Sequence, residues 1–233
     1  MIRLHFHPGP NPAKVALFLE EAEVPYELVP VDTRKGEQHT PEFQAINPNG
    51  KTPALVDTQG PAGEVRVFDS SAILLHLAEN TGKFLGAPED RPELLSWLFF
   101  IASGLGPFSG QSVHFQRVAP ENMAYARNRY LREAQRHYQV LEDHLAARAW
   151  IVGDSYTIAD MSAWGWLDRA GFVLGVQTNP LAAYPSLNRW FDAVEARPAV
   201  ARARAAGQHL SFKTEMDEQA LQALFPSNYP LPA

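Results

Sequence analysis

The stretch IRLHFHPGPNPAKVALFLEEAEVPYELVPV, Ile2 to Val31, decides how the first part of the chain folds. Ile2 to Phe6 alternates apolar and polar residues, the period of a strand with one buried face. HPGPNP follows, a run of breakers that cannot extend a strand. Ala13 to Glu23 then reads as a helix with Val15, Leu17, Phe18 and Leu19 as its apolar face. Asn11 before Pro12 has the chemistry of an N-cap followed by a proline at the first helical position. Pro25 to Val31 again suits a strand. Strand, helix and strand within about thirty residues make a βαβ unit, so the two strands are predicted to be parallel with a right-handed connection.

Beyond Asp32 the chain turns polar, TRKGEQHTPEFQAINPNGK, with a short helix expected around Pro41 to Ile46. Two hairpin strands follow, Pro53 to Asp57 and Glu64 to Phe68, separated by TQGPAG, and Ser70 to Asn80 reads as a helix. After GKFLGAPEDRPE no convincing strand remains. Helices are expected over Glu93 to Ala102, Asn122 to Ala147, Ile158 to Phe172, Pro185 to Ala196 and Pro198 to Ala206. Glu218 to Leu224 is a further short helix in a tail whose proline-rich end, FPSNYPLPA, reads as an arm. The expected organisation is an α/β domain over residues 1–84, an all-helical domain over 90–210 and a tail over 211–233.

The chain has 233 residues, 20 basic against 26 acidic side chains, a net charge of −6 and no cysteine. The last fact excludes a disulfide scaffold, a Cys-ligated metal site and catalysis by a thiol of its own. No metal is expected, and the acidic balance argues against a nucleic-acid partner. No apolar run reaches membrane-spanning length and no signal pattern opens the chain, so neither a membrane span nor secretion is expected, and the location is read as cytoplasmic.

Several residues stand out. Pro53 either simply opens a strand, where a missing N–H is tolerated, or serves a special backbone geometry. Asp69 and Ser70 precede a helix and suit an N-cap; the same unpaired N–H groups also suit a bound carboxylate. In GDSYTIAD, Thr157 and Asp160 have capping-box spacing, with Tyr156 and Met161 at staple positions. Trp164 and Trp166 read as packing residues.

Three motifs in this order, NPNGKTPALVD (Asn47 to Asp57), FDSSAILLHLAE (Phe68 to Glu79) and GDSYTIADMSAW (Gly153 to Trp164), carry a resemblance to the cytosolic glutathione transferase superfamily. With PNPAKVALFLEE, GEQHTPEFQAINPNGK and QSVHFQ, the chain looks most like the bacterial nu class of disulfide-bond oxidoreductases. The resemblance implies a thioredoxin-like N-terminal domain, an all-helical C-terminal glutathione transferase domain and a homodimer. It implies glutathione as the cofactor, as one molecule, two molecules or glutathione disulfide, and reduction of small disulfides or related electrophiles as the activity. A non-catalytic glutathione-binding or interaction protein is the alternative.

The resemblance also implies roles. Pro53 is cis in the family, which turns the main chain of Thr52 toward the cysteinyl backbone of glutathione. Ser70 receives the γ-glutamyl carboxylate and Asp69 the ammonium. Gln38 is a binding residue, and Lys51 or His39 faces the glycine carboxylate. Arg129, in preference to Arg132, points into the cleft, and His114 and Phe115 shape the pocket for the second substrate. A bound thiol is mostly protonated at neutral pH unless hydrogen bonds favour the thiolate. The nu-class pattern supplies these from a small hydroxyl residue and an asparagine two positions later; here those positions are Gly9 and Asn11. Asn11 is thus either the catalytic donor or only a helix cap.

Overall fold

In the computed structural model, which describes residues 1–60, 63–119 and 121–228, the first segment forms β1 (Ile2–Phe6), α1 (Pro10–Ala22) and β2 (Tyr26–Pro30). A 3₁₀ turn (Glu37–His39) and the short α2 (Pro41–Gln44) precede the hairpin strands β3 (Ala54–Gly60) and β4 (Gly63–Phe68), and α3 (Ser70–Thr81) closes the unit. The four strands lie in the order β2-β1-β3-β4. β1 pairs parallel with β2, as the βαβ reading requires, and antiparallel with β3. The register sets His5 against Ala54, and Ala54 against Phe68. The end of β1, the start of β3 and the end of β4 therefore lie at one edge of the sheet. Pro61 and Ala62 of the expected turn, and residues 229–233 of the tail, are outside the described residues.

The helical part comprises α4 (Arg91–Phe100), α5 (Gly106–Arg117), α6 (Ala124–Leu145), α7 (Ile158–Leu167), α8 (Ala170–Leu174), α9 (Pro185–Glu195) and α10 (Pro198–Ala205). Two expectations need correcting. α5 was not expected, because Gly104, Gly106, Pro107 and Gly110 obscure its periodicity. It continues from α4 through a π-helical turn, Ile101–Leu105, where a side chain at Gly104 would stand 2.4 Å from His137 Nε2. The helix expected to run from Ile158 to Phe172 breaks after Leu167 into α7 and α8.

α1 is the joint between the two parts. It packs on α3, α7 and α10, and Leu4, Phe6 and Leu55 of the sheet belong to the same core, so six consecutive residues, Lys14 to Leu19, are buried. A helix enclosed on all sides has no polar face to spare, which is why the run VALFL is continuous rather than spaced at three and four. Burying a side chain such as Phe18 contributes about 1.5–3 kcal/mol. The α1–α7 approach is closest at Gly165, where a Cβ would come within 2.4 Å of Pro10 O and 2.6 Å of Lys14 Cγ. One hydrophobic core consequently runs from Leu4, Phe6 and Phe18 through to Trp164 and Leu167.

The start of α7 is pinned by the capping box: Thr157 N–H donates to Asp160 Oδ2 at 2.8 Å and Ala159 N–H to Thr157 Oγ1 at 3.3 Å. Asp160 also accepts from Ile151 N–H at 3.0 Å and Trp190 Nε1–H at 2.8 Å, while burial pushes its carboxyl up to about 6 against these donors. Tyr156 lies edge-on to Phe84 and Trp150, with the Arg197 guanidinium over its ring.

The chain leading into the expected arm returns to the α/β unit. Arg34 Nη1 donates to the carbonyls of Lys213 and Thr214 at 2.9 and 2.7 Å, and Lys213 N–H donates to Asp32 Oδ2 at 2.7 Å. The helix α11 (Glu218–Leu224) buries Ala220 completely.

Burial lowers the Lys14 amine from 10.5 to about 7, with Asp69 opposing the shift. Between about pH 7 and 10.5 the unfolded chain then holds the extra proton, so this group makes stability rise with pH across that window. Lys14→Met is expected to stabilise the protein by roughly 1–4 kcal/mol at pH 6, and by less at pH 9. Urea denaturation at the two pH values measures this; an equal mutant-to-wild-type difference at both would show that Lys14 does not titrate in the folded state.

Candidate functional site

The shared sheet edge gathers three of the singled-out segments. The first is the start of α1. Gly9 occupies the N-cap position with extended backbone, φ 178° and ψ 169°, and α1 has no side-chain cap. Asn11 is therefore not the N-cap expected from its place before Pro12; it sits inside the first turn, behind Pro10. Pro10 and Pro12 carry no N–H, and the N–H of Ala13 donates to Gly9 O at 3.2 Å. Asn11 N–H is thus the main-chain donor left at this helix end. Its side chain is half-buried, and Asn11 Oδ1 accepts from Trp166 Nε1–H at 3.1 Å. A Cβ on Gly9 would lie 3.8 Å from Pro12 Cδ and 3.9 Å from His7 O, ordinary contact distances.

The second segment is the start of α3. Asp69 is its N-cap, with Oδ1 accepting from Ser71 N–H at 2.9 Å and Ala72 N–H at 3.3 Å. Its backbone has φ 70° and ψ 127°, a conformation that costs a side-chain-bearing residue about 1–3 kcal/mol. Ser70 is buried at the first helical position, and its Oγ accepts from Lys14 Nζ at 3.5 Å. Sequence reasoning missed Lys14. Its only signal was a charge inside the run AKVALFLEE, which is otherwise too apolar to offer lysine a wet face.

The third segment is the turn into β3. The Thr52–Pro53 bond is cis. Among the described residues the main-chain N–H and C=O of Thr52 have no backbone partner. Upstream, Asn49 N–H donates to Asn47 Oδ1 at 2.9 Å and Gly50 takes φ 62°, a turn that leaves Lys51 exposed.

Gln38 is placed differently from a surface glutamine. It is 3% exposed, and its Nε2 donates to Thr33 O at 3.1 Å and to Ala223 O of the tail at 2.8 Å, while Oε1 is buried without a partner among the described residues. His39 Nε2 also lies 2.8 Å from Ala223 O. The tail thus covers the polar loop in which both residues sit.

Arg129 is exposed on α6 and paired at 2.8 Å with Glu133 of the same helix, whose carboxyl is held low first of all by Arg136 and then by Arg129. Arg132 is exposed on the same helix. His114 packs edge-on against Phe225 of the tail at 4.7 Å, and Phe115 stacks on Tyr130 at 5.0 Å. His114, Phe115, Gln111, Val113 and Phe225 line a cavity of about 480 Å³. Gly110, also on its wall, would touch Trp166 Cη2 at 3.3 Å if it bore a Cβ. Another hollow, about 450 Å³ and lined by Met1, Asp57 and Asn80, contains none of the singled-out residues. Trp166, which bonds Asn11, is a residue that sequence reasoning assigned only to packing. Among the described residues no group of three or more His, Asp or Glu is placed to hold a metal ion.

Comparison with known proteins places this geometry. Residues 9–80 match the family model described as glutathione S-transferase, N-terminal domain, and residues 124–193 that described as glutathione S-transferase, C-terminal domain. The chain is 44% identical over 211 residues to the disulfide-bond oxidoreductase YfcG of Escherichia coli, covering 89% of this chain and 96% of that protein. It superposes with a TM-score of 0.81 on a glutathione transferase from Burkholderia graminis with two glutathione molecules bound per subunit, at 36% identity and 89% coverage of each chain. A glutathione transferase from Pseudomonas putida with one glutathione disulfide bound per subunit matches with a TM-score of 0.80, 33% identity and coverage of 87% and 90%. A thioredoxin-like domain followed by an all-helical domain is the fold of these relatives and of this chain, which belongs to the glutathione S-transferase family.

Proposed function

We propose that the protein binds glutathione at the shared sheet edge and uses its thiol to reduce small disulfides or related electrophiles. The observation that carries this reading is the register: His5 opposite Ala54 opposite Phe68 brings Gly9 to Asn11, Thr52 and Asp69–Ser70 to one edge. The named activity of a 44% identical relative supports it.

On this reading Thr52 pairs with the cysteinyl main chain beside Pro53. Ser70 donates to the γ-glutamyl carboxylate, helped by the positive end of α3, and the free Oδ2 of Asp69 meets the ammonium. The buried Lys14 amine stands behind Ser70. While it is protonated this amine only donates, so it takes a lone pair of the Ser70 oxygen and leaves the O–H free for the ligand. Lys51 faces the glycine carboxylate. Gln38 joins that end once the tail releases its amide, and Arg129 reaches a ligand carboxylate by leaving Glu133.

The amide N–H₂ and main-chain N–H of Asn11 stabilise the thiolate. The thiolate attacks a disulfide sulfur, forms a mixed disulfide and releases one thiolate product. A second glutathione thiolate attacks the glutathionyl sulfur of this mixed disulfide, displaces the remaining half of the substrate as thiolate and leaves glutathione disulfide. The cavity beside His114 and Phe115 takes the second substrate. The remaining parts of the proposal are domain limits of 1–84, 90–210 and 211–233, a cytoplasmic location, and a homodimer, for which the exposed Phe68 and Phe99 offer apolar contacts. Gly9, lacking a hydroxyl, favours one alternative, a glutathione-binding protein without turnover.

Ser70→Ala is expected to weaken glutathione binding about 5–30-fold, the effect of one hydrogen bond of about 1–2 kcal/mol. Calorimetry on the folded variant checks this, and unchanged affinity would leave Ser70 as helix packing only.

Asn11→Ala is expected to lower turnover of a small glutathionyl disulfide and raise the pKa of the bound thiol, with little change in glutathione affinity. Thiolate absorbance against pH reports the second effect. Equal titration and turnover in both proteins would refute the activating role, and tight binding with no turnover by the wild type would establish the non-catalytic alternative.

Gly9→Thr is expected to lower the thiol pKa further, because the contacts at Gly9 leave room for a side chain and its backbone is one any residue adopts. The same titration tests this; an unchanged or higher pKa would show that a hydroxyl at this position does not reach the sulfur.

A further inference from the structure

An asparagine amide has two unlike ends, and only one of them helps a thiolate. The N–H₂ end donates to the sulfur, whereas the oxygen end presents lone pairs to a negative charge. The two ends exchange by a half-turn about one bond, so a free Asn11 side chain would offer either. The indole N–H of Trp166 removes this ambiguity: it only donates, and it stands 3.1 Å from Asn11 Oδ1. The oxygen end is committed to the helical domain and the N–H₂ end is turned away from Trp166. Indole does not titrate, so this orientation holds at every working pH.

The ring is itself held in place. A Cβ at Gly106 would stand 2.8 Å from Trp166 Nε1, and one at Gly110 would stand 3.3 Å from Cη2, so α5 approaches the indole along a face that two glycines keep open. On the other side Gly165, the preceding residue, lets α7 close on Pro10 and Lys14 of α1. Trp166 is half-buried between these helices and bonded to the one side chain of α1 that the sulfur chemistry needs.

The geometry points to Trp166 as a positioning residue for thiolate activation: its indole N–H fixes the Asn11 amide so that the N–H₂ group faces the glutathione sulfur. This rests on the reading of Asn11 given above. It makes the helical domain a contributor to the sulfur's environment as well as a wall for the second substrate.

The test is Trp166→Phe, which keeps an aromatic ring and removes the N–H. The variant is expected to bind glutathione with unchanged KM, to raise the pKa of the bound thiol, and to lose kcat about 3–30-fold at neutral pH, the range for one lost hydrogen bond. The loss should shrink at pH values above the thiol pKa, where the thiolate forms without help. In an Asn11→Ala background the same change should have no further effect on the titration. If Trp166→Phe does not fold, Gly106→Ala supplies the second variant, because its methyl group displaces the indole nitrogen while Trp166 remains; it should give the same pH-dependent loss.

A wild-type thiol titration and kcat in the Trp166 variant, alongside losses in Asn11→Ala, would overturn the positioning role while leaving the Asn11 reading intact. A uniform loss at all pH values, or a rise in KM with no change in thiol pKa, would reduce Trp166 to a structural support. An Asn11→Ala variant indistinguishable from wild type would remove the reading and the inference together.

Discussion

The enclosure of α1 between the sheet and the helical domain is the constraint on which the rest of the molecule depends. Lys14 to Leu19 are buried without interruption because α3, α7 and α10 pack on the helix and Leu4, Phe6 and Leu55 of the sheet share its core. Gly165 sets the separation: no side chain larger than hydrogen fits between α7 and the Pro10 carbonyl. The N-terminus of α1 leaves the sheet where β1 ends, so this packing also places Gly9 and Asn11. The Asp160 network then acts at a distance, since pinning the start of α7 positions Gly165 and Trp166 two turns later.

Donor and acceptor character organises the site more tightly than net charge does. Behind Asn11 stands an indole N–H, which only donates, and behind Ser70 the Lys14 amine, which donates to its Oγ. Each satisfies an oxygen and leaves the hydrogen-bearing end of its neighbour available at the sheet edge. The arrangement carries costs that a purely structural core would avoid. Lys14 gives up most of the basicity of a lysine, and Asp69 holds a backbone conformation with positive φ. Such costs concentrate where function needs a defined geometry, and the surrounding apolar core offsets them.

The tail adds a third connection between the two parts. Arg34, Asp32 and Gln38 of the α/β unit all bond to main-chain groups between Lys213 and Ala223, and Phe225 meets His114 on α5. The loop proposed to receive the glycine end of glutathione and the cavity proposed for the second substrate consequently share one wall. The carbonyls of Lys213 and Thr214, in irregular chain, find the Arg34 guanidinium on the α/β surface.

Local sequence determined the elements wherever period and punctuation agreed: the βαβ opening, the β3–β4 hairpin, the capping box of α7 and the helix of the tail. It also determined, through the absence of cysteine, that any thiol chemistry must be borrowed from a bound molecule. α5 and the π-helical turn before it escaped notice because their glycines serve neighbours, His137 and Trp166, that lie far away in the chain. Asn11 looked like a cap because Asn-Pro has that chemistry locally; only the arrival of Trp166, 155 residues further on, gave its oxygen another partner. Lys14, Gln38 and Trp166 acquire their surroundings from elements that no window of sequence brings together. Propensity and spacing are properties of neighbours along the chain, whereas burial and hydrogen-bond partnership are properties of neighbours in space, and these only the tertiary structure decided.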